Sequence, residues 1–150
     1  MIKVMKCLDE RFFLDFMLVE SDAAYVRDLK RYAAEDERIR FIPAVPMSEI
    51  CSTLNKYDMG IYLLPPVNFN HEHALPNKFF EFIQARLAVA VGPSPEMARI
   101  VKAFDCGVVA DSFDPSELAR VISKVSENEL VRYKAAADVA ATEVNYENGG

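Results

Sequence analysis

The chain has 150 residues, 51% of them hydrophobic, which suits one domain of ordinary size able to bury roughly two-thirds of its unfolded surface. Its 23 acidic and 17 basic residues leave a formal net charge of −6, so there is no basic footprint for nucleic acid and any anion must be met by a local positive pocket. No run of about 18 apolar residues occurs and the start lacks a signal-peptide pattern, which predicts a soluble cytoplasmic chain and leaves peripheral membrane contact open.

In chain order the pattern alternates between two periods. Met1 to Glu10 places Ile2, Met5 and Cys7 or Leu8 on one face, the spacing of a short helix. Phe12 to Glu20, FFLDFMLVE, is an apolar run of strand length. Ser21-Asp22 is placed to cap the next helix, with Ala24, Val26, Leu29 and Tyr32 or Ala33 pointing inward and Arg27, Asp28, Lys30 and Arg31 facing water. Arg38 to Val45 reads as the second strand, stopped by prolines; Ser48, with Ile50, Leu54 and Tyr57 behind it, opens a helix ending at Asp58; Met59 to Leu64 is the third strand. The loop PPVNFNHEHALP, from Pro65 to Pro76, is longer than most βα connections, which favours a functional role.

A helix then starts at Pro76, and Ala88 to Val91 forms the fourth strand. Ser94 with Glu96 opens a helix through Ile100 and Phe104, Gly107 to Ala110 is a short fifth strand, and Asp114-Pro115 with Glu117 starts another helix. From Ser126 the chain is helical to about Val144, and no repeat or low-complexity segment interrupts it. Cys7, Cys51 and Cys106 are odd in number and widely separated, so they read as small buried hydrophobes of a reducing compartment. With only His71 and His73 as histidines, a metal site is not expected.

Apolar strands separated by single helices predict a parallel sheet covered on both faces, a doubly wound α/β domain. In such sheets ligands lie at the carboxyl ends of strands, where loops give way to helix starts, and the loop before Pro76 stands at such a place. Pro76 suits a first helical turn, but Leu75 before it has no side-chain oxygen to cap the open amides. The N–H groups of Asn77 and Lys78 therefore seek an acceptor, and the positive dipole end with Lys78 nearby suits a phosphate. Phe79, Phe80, Phe82 and Ile83 cover most of the helix circumference, with Glu81 standing among them. Glu81 lies three residues from Lys78 and is either its local ion-pair partner or one half of a ligand-binding pair.

The run ALPNKFFEFIQARLAVAVG resembles the PNK-(L/F)-F-E-(Y/F)-(M/I)-A-x-x-x-P-V signature in the carboxyl-terminal half of GT-B glycosyltransferases, in the group 1 family of retaining enzymes. FFLDFMLVE is similar to that family's second strand, RIRFIPAVPMSEICSTLNKYDMGIYLLP to its strand, helix and a-D-v-x-l-x-P segment, and CGVVADSFDPSELARVISKV to its closing segment. The matches keep their order from about Phe12 to Val125.

The resemblance implies a Rossmann-like domain that binds the donor, a nucleotide-diphosphate sugar of the UDP or GDP type. Glu81 matches the glutamate that accepts from the ribose hydroxyls, and Leu75, Pro76, Asn77 and Lys78 match the part facing the diphosphate. No side-chain nucleophile, metal or cofactor is implied in this half, because fixed amides and cations stabilise the departing diphosphate. Many members carry a second glutamate eight residues before the one matching Glu81; here His73 holds that position, next to Glu72, and is either a contact to the transferred sugar or a solvated loop residue. The family's first strand, with its Gly-Arg and following Lys, has no match, nor has the amino-terminal acceptor domain, so this chain alone is expected to bind and not to transfer.

That first strand would lie at the sheet centre. In its absence either the first and third strands pair directly, or Met1 to Leu8 supplies a substitute, or a second chain fills the gap, and self-association or a rearranged sheet is expected. The full enzyme would be compatible with peripheral membrane association. Two alternatives belong to other classes. A flavodoxin-like or receiver-like docking module would need clustered acids, whereas Asp58 and Asp111 are scattered; a sugar-nucleotide epimerase of related architecture would need further acids and histidines.

Overall fold

In a computed structural model of the chain, the described residues are 2–17, 23–63 and 77–143. They alternate helix and strand: α1 (Ile2–Lys6), β1 (Leu14–Met17), α2 (Ala23–Ala33), β2 (Ile39–Ile42), a 3-10 turn (Met47–Glu49) running into α3 (Ile50–Leu54), β3 (Met59–Tyr62), α4 (Asn77–Gln84), β4 (Ala88–Val91), α5 (Pro95–Phe104), β5 (Gly107–Val109), α6 (Pro115–Ser123) and α7 (Glu127–Glu143). The strands are shorter than the apolar runs that encode them. β2 stops at Ile42 because Pro43 has no N–H to give to a ladder. The third helix ends at Leu54, four residues before the expected Asp58. Ser21, Asp22, the residues from Leu64 to Pro76 and those after Glu143 lie outside the described residues.

All pairing is parallel, as apolar strands joined by helices require. β1 pairs with β2, Leu14 opposite Ile39; β3 pairs with β4, Met59 opposite Ala88; β4 pairs with β5, Val89 opposite Gly107. Instead of one continuous sheet there are two, of two and three strands, with no described pairing between β1 and β3. Met1 to Leu8 does not supply a substitute strand, since residues 2–6 are helical.

Alternation along the strands sends side chains to two cores, one on each face. Val89, Val91, Val109 and Tyr62 pack with Phe79, Phe80 and Ile83 of α4, Ile100 and Val101 of α5, and Ala137 and Ala140 of α7. Leu14, Phe16, Ile39, Phe41, Met59, Ile61, Ala90 and Val108 face the other way, onto Val4 and Met5 of α1 and Leu118 and Ile122 of α6. Helices therefore cover both faces. β4 is buried at every residue. Gly107 is required where β5 meets β4, because a Cβ there would fall 1.8 Å from the Val89 carbonyl oxygen.

A helix of 5 residues cannot hold itself in water, so α1 depends on tertiary contacts. Val4, Met5 and Leu8 are buried, and the Arg38 guanidinium donates to the carbonyls of Met5, Leu8 and Asp9 at 2.8, 2.9 and 2.7 Å. The guanidinium thus ties the carbonyl end of α1 and the turn after it to the start of β2. The last two helices carry their own caps. Asp114 accepts from the Ser116 N–H at 2.9 Å, while Ser126 and Glu129 exchange backbone-to-side-chain bonds at 3.1 Å as a capping box before α7.

Two expectations about burial need correction. On α2, Ala24 and Tyr32 are exposed and Leu29 is half-buried, leaving Ala33 as its buried residue among those whose side chains are described; the Val26 side chain is not among them. A two-stranded sheet offers a helix little surface to cover. Cys7 and Cys51 are exposed and only Cys106 is buried; Cys7 falls just past α1, where Leu8 takes the inward position. Ser94 stands at the N-cap of α5, as its place in the sequence predicts, without a side-chain capping bond. Among the described residues, no helix is long and apolar enough to cross a membrane.

Candidate functional site

α4 packs with Phe79, Phe80 and Ile83 buried and Phe82 half-buried. Phe82 lies flat on β3 because Gly60 has no side chain: a Cβ there would come within 2.2 Å of the Phe82 ring. At its far end the helix closes through Ala85, Arg86 and Leu87, whose N–H groups donate to the carbonyls of Glu81, Ile83 and Phe82 at 2.9, 2.9 and 3.0 Å. Arg86 turns the chain with a left-handed φ of 61°, and β4 begins at Ala88. The Asn77 end of α4 therefore lies at the carboxyl ends of the parallel strands, the end where such sheets bind ligands.

Lys78 stands exposed in the first turn and Glu81 half-buried in the second. Burial pushes the Glu81 carboxyl above its ordinary pKa, and the Lys78 charge pulls it back. The two do not close an ion pair. Among the described residues none donates a hydrogen bond to the Glu81 carboxylate, although its backbone carbonyl accepts from Ala85. Lys78 and Glu81 thus stand as two separate charged groups, one exposed and one half-buried. Such a carboxylate can accept two hydrogen bonds from a neighbouring diol at little cost in internal contacts.

Asn77 opens α4, with its side chain outside those described; His73, Leu75 and Pro76 lie outside the described residues. Two further segments reach the same end of the sheet. Gly92 to Ser94 follows β4, with Ser94 only 2% exposed, and Asp111 to Asp114 follows β5. A Cβ on Gly92 would meet Leu63 and Phe113 at 2.8 Å, so this glycine lets the ends of β3 and β5 approach each other.

Asp58 and Asp111 do not converge. Asp58 precedes β3 and Asp111 follows β5, at opposite ends of a parallel sheet, and Asp111 is paired at 3.1 Å with Arg120. No group of three or more metal-ligating side chains occurs among the described residues. No protein-family model matches the chain, and no curated protein matches it.

Proposed function

We propose that this chain is the donor-binding half of a retaining, group 1 glycosyltransferase of the GT-B type, built on a doubly wound, Rossmann-like domain. The observation that carries the reading is a half-buried Glu81 carboxylate without a described partner, one turn from an exposed Lys78, on a helix that starts at the carboxyl ends of parallel strands. Glu81 accepts from the vicinal ribose hydroxyls of a UDP-type or GDP-type sugar donor. Lys78 and the N–H groups at the start of α4 face the diphosphate; the family resemblance assigns Leu75, Pro76 and Asn77 to the same ligand and leaves His73 as either a contact to the sugar or a solvated residue. As the glycosidic bond to the diphosphate breaks, negative charge grows on the leaving oxygen. The helix dipole and Lys78 are fixed in advance to stabilise it. The acceptor side belongs to a separate domain.

Thermal denaturation with UDP, GDP, ADP and their sugars tests the reading. One nucleoside diphosphate should raise the melting temperature in a saturable way, its free nucleoside much less so. A flat response across the panel overturns the proposal. The receiver-like alternative loses its support from the opposed positions of Asp58 and Asp111.

A further inference from the structure

Ser94 is 2% exposed, and its hydroxyl makes no hydrogen bond to any described residue. A hydroxyl withdrawn from water without a partner is costly, so this one is placed for a partner that the described chain does not supply. Every fully buried side-chain nitrogen or oxygen among the described residues has its partner. The Ser94 oxygen therefore lies on the small surface that the residue leaves open. It stands at the N-cap of α5, where Pro95 has no N–H to give and the N–H groups of Glu96 and Met97 have no described acceptor.

The position is held firmly. Pro93 and Pro95 flank Ser94 and restrict the backbone on both sides of it. The Ser94 N–H donates to the Gly92 carbonyl at 2.9 Å, and the Gly92 N–H donates to the Tyr62 carbonyl at 3.3 Å. A hydroxyl fixed in this way loses little freedom when a ligand arrives. The second of these bonds also ties the segment to the end of β3, the strand that leads to α4. β3 and β4 are paired, so their ends lie about 5 Å apart. Met97 in the first turn of α5 packs in the same cluster as Phe79 and Phe80 in the first turn of α4, which makes the two helix starts neighbours on one face of the sheet.

Charge separates what the two starts can hold. Lys78 on α4 is exposed and closes no ion pair among the described residues. Arg99, the first cation of α5, is already bound to the Glu96 carboxylate at 2.7 Å. The start of α5 thus offers amide donors, a hydroxyl that both gives and accepts, and no uncommitted cation, with a carboxylate beside them. That set suits a neutral group rich in hydroxyls and disfavours a second anion. We propose that Ser94 and the first turn of α5 hold hydroxyls of the transferred sugar, and that this sugar is a neutral one. The inference rests on the donor-binding reading, in which the start of α4 takes the diphosphate and the sugar attached to it extends to the neighbouring helix start. The Ser94 hydroxyl donates to one sugar oxygen, and the open amides of Glu96 and Met97 donate to another.

Titration calorimetry of the whole chain and of Ser94→Ala tests this with UDP, GDP, UDP-glucose, UDP-galactose, GDP-mannose and UDP-glucuronic acid. At least one neutral sugar nucleotide should bind the parent about three- to tenfold tighter than its own diphosphate, the range of one or two hydrogen bonds between uncharged groups. Ser94→Ala should remove most of that margin and leave the diphosphate affinity unchanged. The ligand-free variant should melt with the parent, because no capping bond is lost; a lower melting temperature would make the hydroxyl a helix cap and overturn the proposal. Equal losses for diphosphate and sugar nucleotide overturn it by placing Ser94 on a phosphate, and so does a margin that survives in the variant. A margin for UDP-glucuronic acid as large as for the neutral sugars overturns the charge argument. Binding of a diphosphate with no margin for any sugar overturns the sugar contact while the donor reading stands, whereas binding of no diphosphate at all overturns both.

Discussion

Glu81→Gln is the substitution that separates a ligand-binding carboxylate from a structural one. Because burial raises the Glu81 pKa, the folded state holds that proton more tightly than the unfolded chain. Stability therefore falls as pH climbs from the ordinary glutamate value of about 4.3 through the raised folded value. The variant escapes that loss. Without ligand it should match the parent below this window and be slightly more stable above it, since no described residue loses a hydrogen bond to the carboxylate. With ligand the order reverses. A hydrogen bond to a charged group contributes about 1.5–3 kcal/mol, which corresponds to about 10- to 150-fold in affinity. At ten times the dissociation constant the parent should gain about 1.4 kcal/mol, or about 3–6 °C for a chain of this size. At that same concentration the variant should gain at most about 0.4 kcal/mol, or about 1 °C. Scanning calorimetry of both proteins, with and without UDP or GDP, reads all four numbers. An undiminished ligand shift in the variant, or an apo loss above about 1 kcal/mol, would refute the reasoning and return Glu81 to a purely structural role.

Three further outcomes are expected. Lys78→Ala should weaken a nucleoside diphosphate by about tenfold while leaving the nucleoside unchanged in titration calorimetry, because only the former places charge at the start of α4; equal losses would place the phosphates elsewhere. The Arg40 hydrogen bond, joined by that of Tyr57, holds the Asp15 carboxyl below its ordinary range, so its contribution is present above about pH 3.9 and is lost as pH falls through the lowered folded value. Melting temperatures between about pH 5 and pH 2 should accordingly drop more steeply for the parent than for Asp15→Asn, and parallel slopes would contradict the pairing. Cys7 and Cys51 are exposed, whereas burial pushes the Cys106 thiol up to about 11; a thiol reagent should label the first two in the native protein and the third only on unfolding.

The order of elements was legible because each carries its own local signal. Apolar runs gave the strands, Asp114-Pro115 gave the start of α6, and the ring of Phe79, Phe80, Phe82 and Ile83 announced a helix buried on most sides. What escaped the sequence depends on distant partners. Periodicity groups Ala24, Leu29 and Tyr32 on one face but is silent on how much sheet lies beneath them, so α2 is more exposed than its pattern suggests. Arg38 reads as a charged strand residue, and only the fold brings the carbonyls of Met5, Leu8 and Asp9 to its guanidinium. The spacing of Lys78 and Glu81 permits an ion pair, while the fold exposes one and shelters the other. Residues 2–6 form the helix that their spacing predicts, whereas no local signal specifies that β1 and β3 part without a described pairing.

The two cores differ in how much of the chain they draw on. Every member of the one beneath α4 lies between Tyr62 and Ala141, so that half of the molecule is a contiguous cooperative unit. The segment from β1 to β2 contributes only to the other core and is tied to β3 through the bond of Tyr57 to Asp15, its Arg38 bonds going to residues 5–9. Local opening then has a preferred order, in which residues 14–42 detach at lower free energy than residues 59–143. The helix bearing Lys78 and Glu81 belongs to the later unit. Mild denaturant would expose β1 and β2 while α4 stays seated on β3 and β4, so the ligand-facing surface would outlast the loss of residues 14–42.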